Sequence, residues 1–405
     1  MTKVLQLQYG FSSASPANRL HQAFLEAKIE SGILVLYPDK NENEDISVMG
    51  KKARLLSRIN NTVEAYLTKD MLSKYGKFSY PVIGSDISKK QEVIQADVIY
   101  VHWILNGFLS IQSLEKLARL RKPLIFVMHD MWTITGGCHH SFDCNKYTIQ
   151  CENCQVFDNK KIKDLSYKGF NRKLLFYSKY QNLYFVSPSK WLFDCSQKSA
   201  LLGSKPLFHI PNIIDKSLFK PFSRNVARQI LNIDSNKHII AFGAMAINSP
   251  YKGWEYLKTA LNILYELENK EIQIVVFGSS PNPEILDSIP FETRFMGFVD
   301  NEYATSIIYN AANVFVAPSL ADNLPYTILE SLSCGTPVVA FKVGGIPELI
   351  DHKKNGYLAE YKNAEDLARG IAFCLKESIS GHRLMEFNPV TVMNKHRELI
   401  KSVLN

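Results

Sequence analysis

The stretch VFVAPSLADNLPYTILESLSCGTPVVAFKVGGIPELI, residues 314–350, decides the fold class. An apolar, β-branched run from Val314 to Val316 stops at Pro318 and yields to a polar loop, Ser319 to Asn323. A helix follows, with Pro325 at its first turn and Gly335 just past its end. A second strand, Pro337 to Phe341, runs into Gly344 and Gly345 ahead of another short helix. Strand, helix and strand with polar or glycine turns make a parallel α/β unit. Ligands bind such sheets beyond the carboxyl ends of the strands, which is where both turns lie. Backbone N–H groups at the helix start, Leu324 to Thr327, suit a phosphate. The acceptor-only carboxylates Asp322 and Glu330 beside them suit sugar or ribose hydroxyls. A nucleotide-sugar would meet both needs, whereas an isolated carboxylate pair is usually ordinary surface.

The same alternation extends outward. Lys3 to Tyr9 reads as a strand, Ala17 to Ser31 as a helix and Gly32 to Pro38 as the next strand. Asp97 to Trp103 and Pro123 to His129 are buried strands ending in His102 and in His129-Asp130. Asn182 to Ser189 and Lys205 to Pro211 continue the series, and a linker runs from Pro211 to Pro221. A second series follows with His238 to Phe242, Ile272 to Gly278 and Arg294 to Val299. Alternation alone therefore predicts two Rossmann-like halves with a cleft between them. At 405 residues and 46% apolar content the chain suits roughly two to three globular domains. A dehydrogenase is disfavoured, because the turn after the first strand is GFSSAS and not Gly-x-Gly-x-x-Gly.

Residues 314–350 resemble the donor-binding signature of the family 4 retaining glycosyltransferases, which have the GT-B fold. Glu330 matches the second Glu of the family's Glu-x7-Glu pair, and Cys334 to Ala340 match its Gly-x-Pro-Val-Val-Ala strand. Gly344, Gly345 and Glu348 match its Gly-Gly turn, while Asp322 replaces the first Glu. The family's phosphate-binding Gly-Arg turn and Lys-Gly read here as Gly243-Ala244 and Lys252-Gly253, so the Lys is kept and the Arg is not. The resemblance implies a GT-B architecture of two Rossmann-like domains facing a deep cleft: an acceptor domain at 1–211, with a Cys-rich insertion at 138–154, a nucleotide-sugar domain at 212–380, and a helix at 381–405 crossing back to the first domain.

It further implies that Glu330 holds ribose hydroxyls, with Asn323, Leu324, Pro325, Gly243, Phe298 and Val299 around the donor. Lys252 would stabilise the departing diphosphate. Asp322 and His102 would position the sugar, and His129, Asp130 and Ser15 would line the acceptor side. The expected activity is transfer of a sugar from a nucleoside-diphosphate sugar to a hydroxyl of a glycan or lipid-linked glycan. Retention of configuration, no cofactor in the chemistry, and a place in capsule, exopolysaccharide or O-antigen synthesis go with it. A GT-B sugar-nucleotide epimerase and a catalytically weak glycan-binding subunit are the alternatives.

Two further patches stand out. Cys138, Cys144, Cys151 and Cys154 are four of the seven cysteines and lie within 17 residues. This spacing suits structural zinc, with His139 or His140 as substitute ligands, or else packed thiols. No secretory signal opens the chain and no run of about 18 apolar residues occurs, so a cytoplasmic protein with reduced thiols is expected. The net charge of +8 is uneven. Lys51 to Lys77 holds seven basic and two acidic residues, and Lys160 to Lys179 holds seven against one. Leu55, Leu56, Ile59, Val63, Leu67 and Leu72 interleave with the first group at helical spacing. Such a helix either packs its apolar stripe on the sheet or meets an anionic membrane surface. Nucleic acid is not expected, as no reader motif accompanies the charge.

Overall fold

A computed structural model describes residues 2–38, 45–158, 162–234, 236–243, 249–267, 271–278, 288–299 and 301–405. The chain divides into two compact units, one of residues up to Ile213 together with Val390–Asn405, the other Ile214–Pro389.

The first unit alternates β1 (Lys3–Gly10), α1 (Pro16–Glu26), β2 (Glu30–Tyr37), β3 (Ile46–Val48), α2 (Lys51–Leu67), α3 (Gln91–Gln95), β4 (Val98–Val101), α4 (Ile111–Ala118), β5 (Leu124–Val127), α5 (Leu165–Lys179), β6 (Leu183–Ser187), α6 (Lys190–Lys198) and β7 (Leu207–His209). Its seven parallel strands run in the order β3-β2-β1-β4-β5-β6-β7, so the order reverses between β1 and β4. The strands are near-continuous apolar runs because both faces are covered. Leu5, Leu7, Ile99, Val101, Leu124 and Phe126 point into one core, and Val4, Val98, Tyr100, Ile125 and Val127 into the other.

In the second unit α7 (Arg224–Leu231), β8 (His238–Gly243), α8 (Trp254–Leu267), β9 (Ile272–Phe277), β10 (Glu292–Phe295), α9 (Glu302–Ala311), β11 (Val314–Ala317), α10 (Tyr326–Ser333), β12 (Val338–Phe341), β13 (Gly356–Ala359) and α11 (Ala364–Glu377) follow in turn. The sheet is again parallel, ordered β10-β9-β8-β11-β12-β13, and reverses between β8 and β11. Both sheets thus have a switch point of the kind at which doubly wound folds take ligands. The last helix, α12 (Pro389–Leu404), packs Val392, Met393, Leu399 and Ile400 against Leu20, Phe24, Val98 and Tyr100 of the first unit.

Three local expectations are corrected. α1 stops at Glu26, because Lys28 takes a left-handed φ of +59° and turns the chain into β2, so Ser31 is strand and not helix. β10 ends at Phe295, and Gly297 (φ +69°) bends the segment through Val299 into a loop. Strands β3 and β13 were not foreseen; each is short and sits at a sheet edge. Among the described residues no helix is long and apolar enough to cross a membrane.

Candidate functional site

In the second unit the candidate residues gather at the switch point. β11 ends at Ala317, and the loop to α10 doubles back towards the start of α8. Gly253 has φ +67°, and a Cβ there would lie 1.9 Å from the Pro318 carbonyl oxygen, so only glycine allows this approach. Leu320 N–H donates to the Tyr251 carbonyl at 2.7 Å, tying the same two loops together. The result brings Lys252 Nζ to 3.0 Å from Asp322 Oδ2. Burial works against the Lys252 ammonium, but the Asp322 carboxylate outweighs it and holds its pKa above the ordinary value. Gly344 (φ +58°) approaches from the far side, where a Cβ would lie 1.9 Å from the Asp322 carbonyl oxygen. The two residues read from separate motifs, Lys252 and Asp322, are therefore one ion pair clasped between two glycine turns.

Pro325 caps α10 from outside the helix, with no side-chain hydrogen bond to the first turn. Having no N–H, it drops out of the expected row of amide donors. The first intrahelical bond is Ile328 N–H to the Pro325 carbonyl at 3.2 Å, so the Tyr326 and Thr327 amides precede the helical ladder. Asn323 and Leu324 are buried beside them. One turn further, Glu330 is 6% exposed, and its Oε2 accepts from the Tyr309 hydroxyl at 3.0 Å. Tyr309 was missed, since an aromatic on the apolar face of α9 carries no signal beyond core packing. Gly243 closes β8 against the Phe277 ring, with Ala244 and the loop after it outside the described residues. Phe298 stands 66% exposed on the loop after β10, and Val299 is half-buried.

In the first unit the histidines meet at the corresponding edge. His102, one residue past β4, and His129, two past β5, stack with ring centroids 5.3 Å apart and His102 Nδ1 3.0 Å from His129 Nε2. The other His102 nitrogen, Nε2, is 2.8 Å from Gln6 Oε1. Gln6 Nε2 donates to Ser31 Oγ at 3.3 Å, and Ser31 Oγ lies 3.0 Å from His21 Nδ1. This orientation of the Gln6 amide puts the proton on His102 Nε2, leaving Nδ1 to accept from His129 Nε2–H. Burial, aided by His129 and His396, keeps the His102 pKa well below the usual imidazole value, and burial brings His129 down to about 4. His102 is thus a neutral imidazole of fixed tautomer.

Asp130 faces elsewhere. Its Oδ2 lies 2.6 Å from His139 Nδ1 and its Oδ1 accepts the Trp132 N–H at 2.7 Å. His139 Nε2 in turn lies 2.9 Å from Ser79 Oγ. Burial raises the Asp130 pKa, but the His139 charge and these hydrogen bonds prevail and bring it down to about 2. The acid–His–Ser order resembles a hydrolytic relay, yet Ser79 is 1% exposed, so the row is a strut under the loop after β5. Both His139 nitrogens are engaged in it. Ser15 caps α1, its Oγ accepting the Asn18 N–H at 3.3 Å.

Cys138, Cys144, Cys151 and Cys154 line one cavity with His140 and Tyr147, all as free thiols. Cys151 Sγ accepts the Gly136 N–H at 3.2 Å. Lys173, 2% exposed, donates to the Thr135 carbonyl at 2.9 Å and stands 3.7 Å over the Trp132 ring. Among the described residues no group of three or more His, Cys, Asp or Glu side chains is arranged to hold a metal ion.

Residues 236–377 match the family model described as glycosyl transferases group 1. This part of the chain is similar to group 1 glycosyl transferases. A glycosyltransferase of Methanocaldococcus jannaschii named as uncharacterized is 31% identical over 153 residues, covering 36% of this chain and 38% of the relative. A D-inositol 3-phosphate glycosyltransferase of Saccharomonospora viridis is 30% identical over 173 residues, 39% of each chain. The chain thus spans about two fifths of the length of these curated relatives. Over nearly all its length it shares the fold of Anabaena HepE, solved in complex with UDP-glucose, with a TM-score of 0.62 and 15% identity, covering 99% of this chain and 100% of HepE. The expected GT-B type of fold, built from two Rossmann-like units, is the one found.

Proposed function

We propose that the protein is a glycosyltransferase that takes a nucleoside-diphosphate sugar as donor and a hydroxyl of a glycan or lipid-linked glycan as acceptor. The observation that carries this reading is the switch point of the second unit. There the Lys252–Asp322 pair joins the loops after β8 and β11, and α10, which follows the second of these loops, carries the first-turn amides and the buried Glu330. Glu330, oriented by Tyr309, accepts from ribose hydroxyls. Lys252 and the Tyr326 and Thr327 amides receive the diphosphate, and Phe298 offers a ring for the base. In the reaction the bond from the anomeric carbon to the phosphate oxygen breaks while the acceptor oxygen bonds to that carbon. The acceptor proton passes to the departing phosphate oxygen. Negative charge grows on that oxygen, where the ammonium and amides stand ready, so they bind the transition state more tightly than the donor. Asp322, released from Lys252 as the phosphates arrive, is placed to accept from a sugar hydroxyl.

Retention of configuration and a product in a surface polysaccharide, of the capsule, exopolysaccharide or O-antigen kind, are supported by the resemblance of residues 314–350. HepE was solved with UDP-glucose, which supports a uridine donor as the first to try.

The test is binding and slow hydrolysis of UDP-, GDP-, ADP- and CMP-sugars by the parent protein and by Glu330→Ala. One donor class bound and hydrolysed, with the signal lost in Glu330→Ala, supports the reading. Binding of no donor by folded protein sinks it.

A further inference from the structure

Helix α2 is built inside out. Its buried stripe is Ala53, Ser57, Asn60 and Glu64, three of them polar. Each polar group meets a definite partner. Asn60 Oδ1 accepts the Val82 and Ile83 N–H groups at 3.0 and 2.9 Å, and Asn60 Nδ2 donates to Glu64 Oε2 at 3.0 Å. Glu64 Oε1 accepts the Tyr80 N–H at 3.2 Å, and Ser57 Oγ donates to the Asn106 carbonyl at 2.6 Å. The opposite face carries Leu55, 57% exposed, Ile59, 43%, and Tyr66, 70%. Lys51, Lys52 and Arg58 stand exposed among them, and the only acidic side chain of the helix is the buried Glu64.

The Phe78–Ile83 segment that receives α2 also receives α5. The Arg172 guanidinium lies 4.7 Å from the Tyr80 ring centroid, while α2 binds the Tyr80 amide. The outer face of α5 repeats the pattern with Lys168, Arg172 and Lys179 around Leu175, which is 70% exposed. Two helices bracketing one segment thus both turn cations and aliphatic side chains to solvent. Among the described residues none of these six cations takes part in an ion pair.

We propose that this face of the first unit docks on an anionic phospholipid bilayer, with Leu55, Ile59, Tyr66 and Leu175 entering the interface and the surrounding lysines and arginines meeting the headgroups. Charge complementarity chooses the occupant. Cations without carboxylates, interleaved with aliphatics on a helix about 25 Å long, fit a flat negative surface that is apolar beneath. Duplex nucleic acid would match the charge and leave the leucines and isoleucine without a partner.

The experiment is co-sedimentation of the purified protein with vesicles of phosphatidylethanolamine and phosphatidylglycerol, against vesicles of phosphatidylcholine alone. No donor is present, so the outcome is independent of the proposed activity. Partition into the anionic vesicles should be strong and should fall as salt rises. With roughly fivefold per surface cation, Lys51→Gln/Lys52→Gln/Arg58→Gln should lower it about a hundredfold. Leu55→Ser/Ile59→Ser should lower it about tenfold. Val226→Ser/Ile230→Ser, which removes exposed aliphatics from α7 in the other unit, should leave it unchanged. All exchanged side chains are at the surface, and unaltered circular dichroism and melting confirm folding. Equal partition into both vesicle types, α2 variants that bind like the parent, or salt-sensitive binding to duplex nucleic acid with none to vesicles would each overturn the proposal.

Discussion

Glu330 points where it does because the Tyr309 hydroxyl holds one of its oxygens at 3.0 Å. Tyr309→Phe keeps the ring packing and deletes that bond, so stability should fall by about 1 kcal/mol while donor affinity falls several-fold. Isothermal titration with the preferred nucleotide, beside a urea melt, separates the two effects. Affinity unchanged in a folded variant would remove Tyr309 from donor orientation. Buried imidazoles make a second prediction. Burial brings His396 down to about 3 from 6.5, and His102 is displaced in the same direction. The unfolded chain therefore binds more protons than the folded one below the ordinary imidazole pKa. Stability is full above about pH 6.5 and is lost as pH falls towards the folded values. Urea midpoints should drop between about pH 7 and pH 5. His396→Phe should make that drop shallower by up to about 1.4 kcal/mol per pH unit. A slope equal to that of the parent would show that His396 titrates normally.

At the scale of elements, the glycine turns around Asp322 carry the geometry of the second unit's site. Gly253→Ala forces a Cβ onto the Pro318 carbonyl at a left-handed φ, so the loop must move and Lys252 with it. Loss of about 1–3 kcal/mol and of most donor affinity is expected, read by melting and titration. Asn60→Ala in α2 tests a different kind of join. It orphans the Val82 and Ile83 amides and should cost about 1–3 kcal/mol for each that stays dry, against well under 1 for the outward Asn61→Ala.

Much of the strand and turn order was legible, because buried parallel strands are written as β-branched runs ending in Gly, Pro or His. Lys252, Asp322 and Glu330 were legible as motif positions, but the pairing of the first two was not, since 70 residues separate them. Which face of α2 turns inward was left open by the sequence for a physical reason. Helical periodicity reports that one face is apolar and does not report which face turns inward. A polar stripe can be the buried one when a distant segment, here Tyr80 to Ile83, offers it backbone N–H groups. The Asp130–His139–Ser79 row escaped for the same reason, as its members come from three separate turns.

At the scale of the whole chain, each unit has its own sheet and its own buried apolar clusters. Removing Pro389–Leu404 should therefore act on the first unit. It strips His396 from Tyr100, with which it shares a 3.2 Å contact, and uncovers Phe24 and Val98. Hydrogen exchange should quicken in β1 and β4 while β8 and β11 keep their protection. Equal loss in both sheets would show that the units are stabilised as one.

The return of α12 to the first unit also sets an order of events during synthesis. The first unit is interrupted in sequence: the chain leaves it at Ile213 and comes back only at Val390. The second unit is continuous. A ribosome therefore releases everything the second sheet needs while the first still lacks the helix that covers Leu20, Phe24 and Tyr100. The earlier-made half waits for the later-made one. Its exposed apolar face, in the interval, is the surface that a nascent-chain chaperone would be expected to hold.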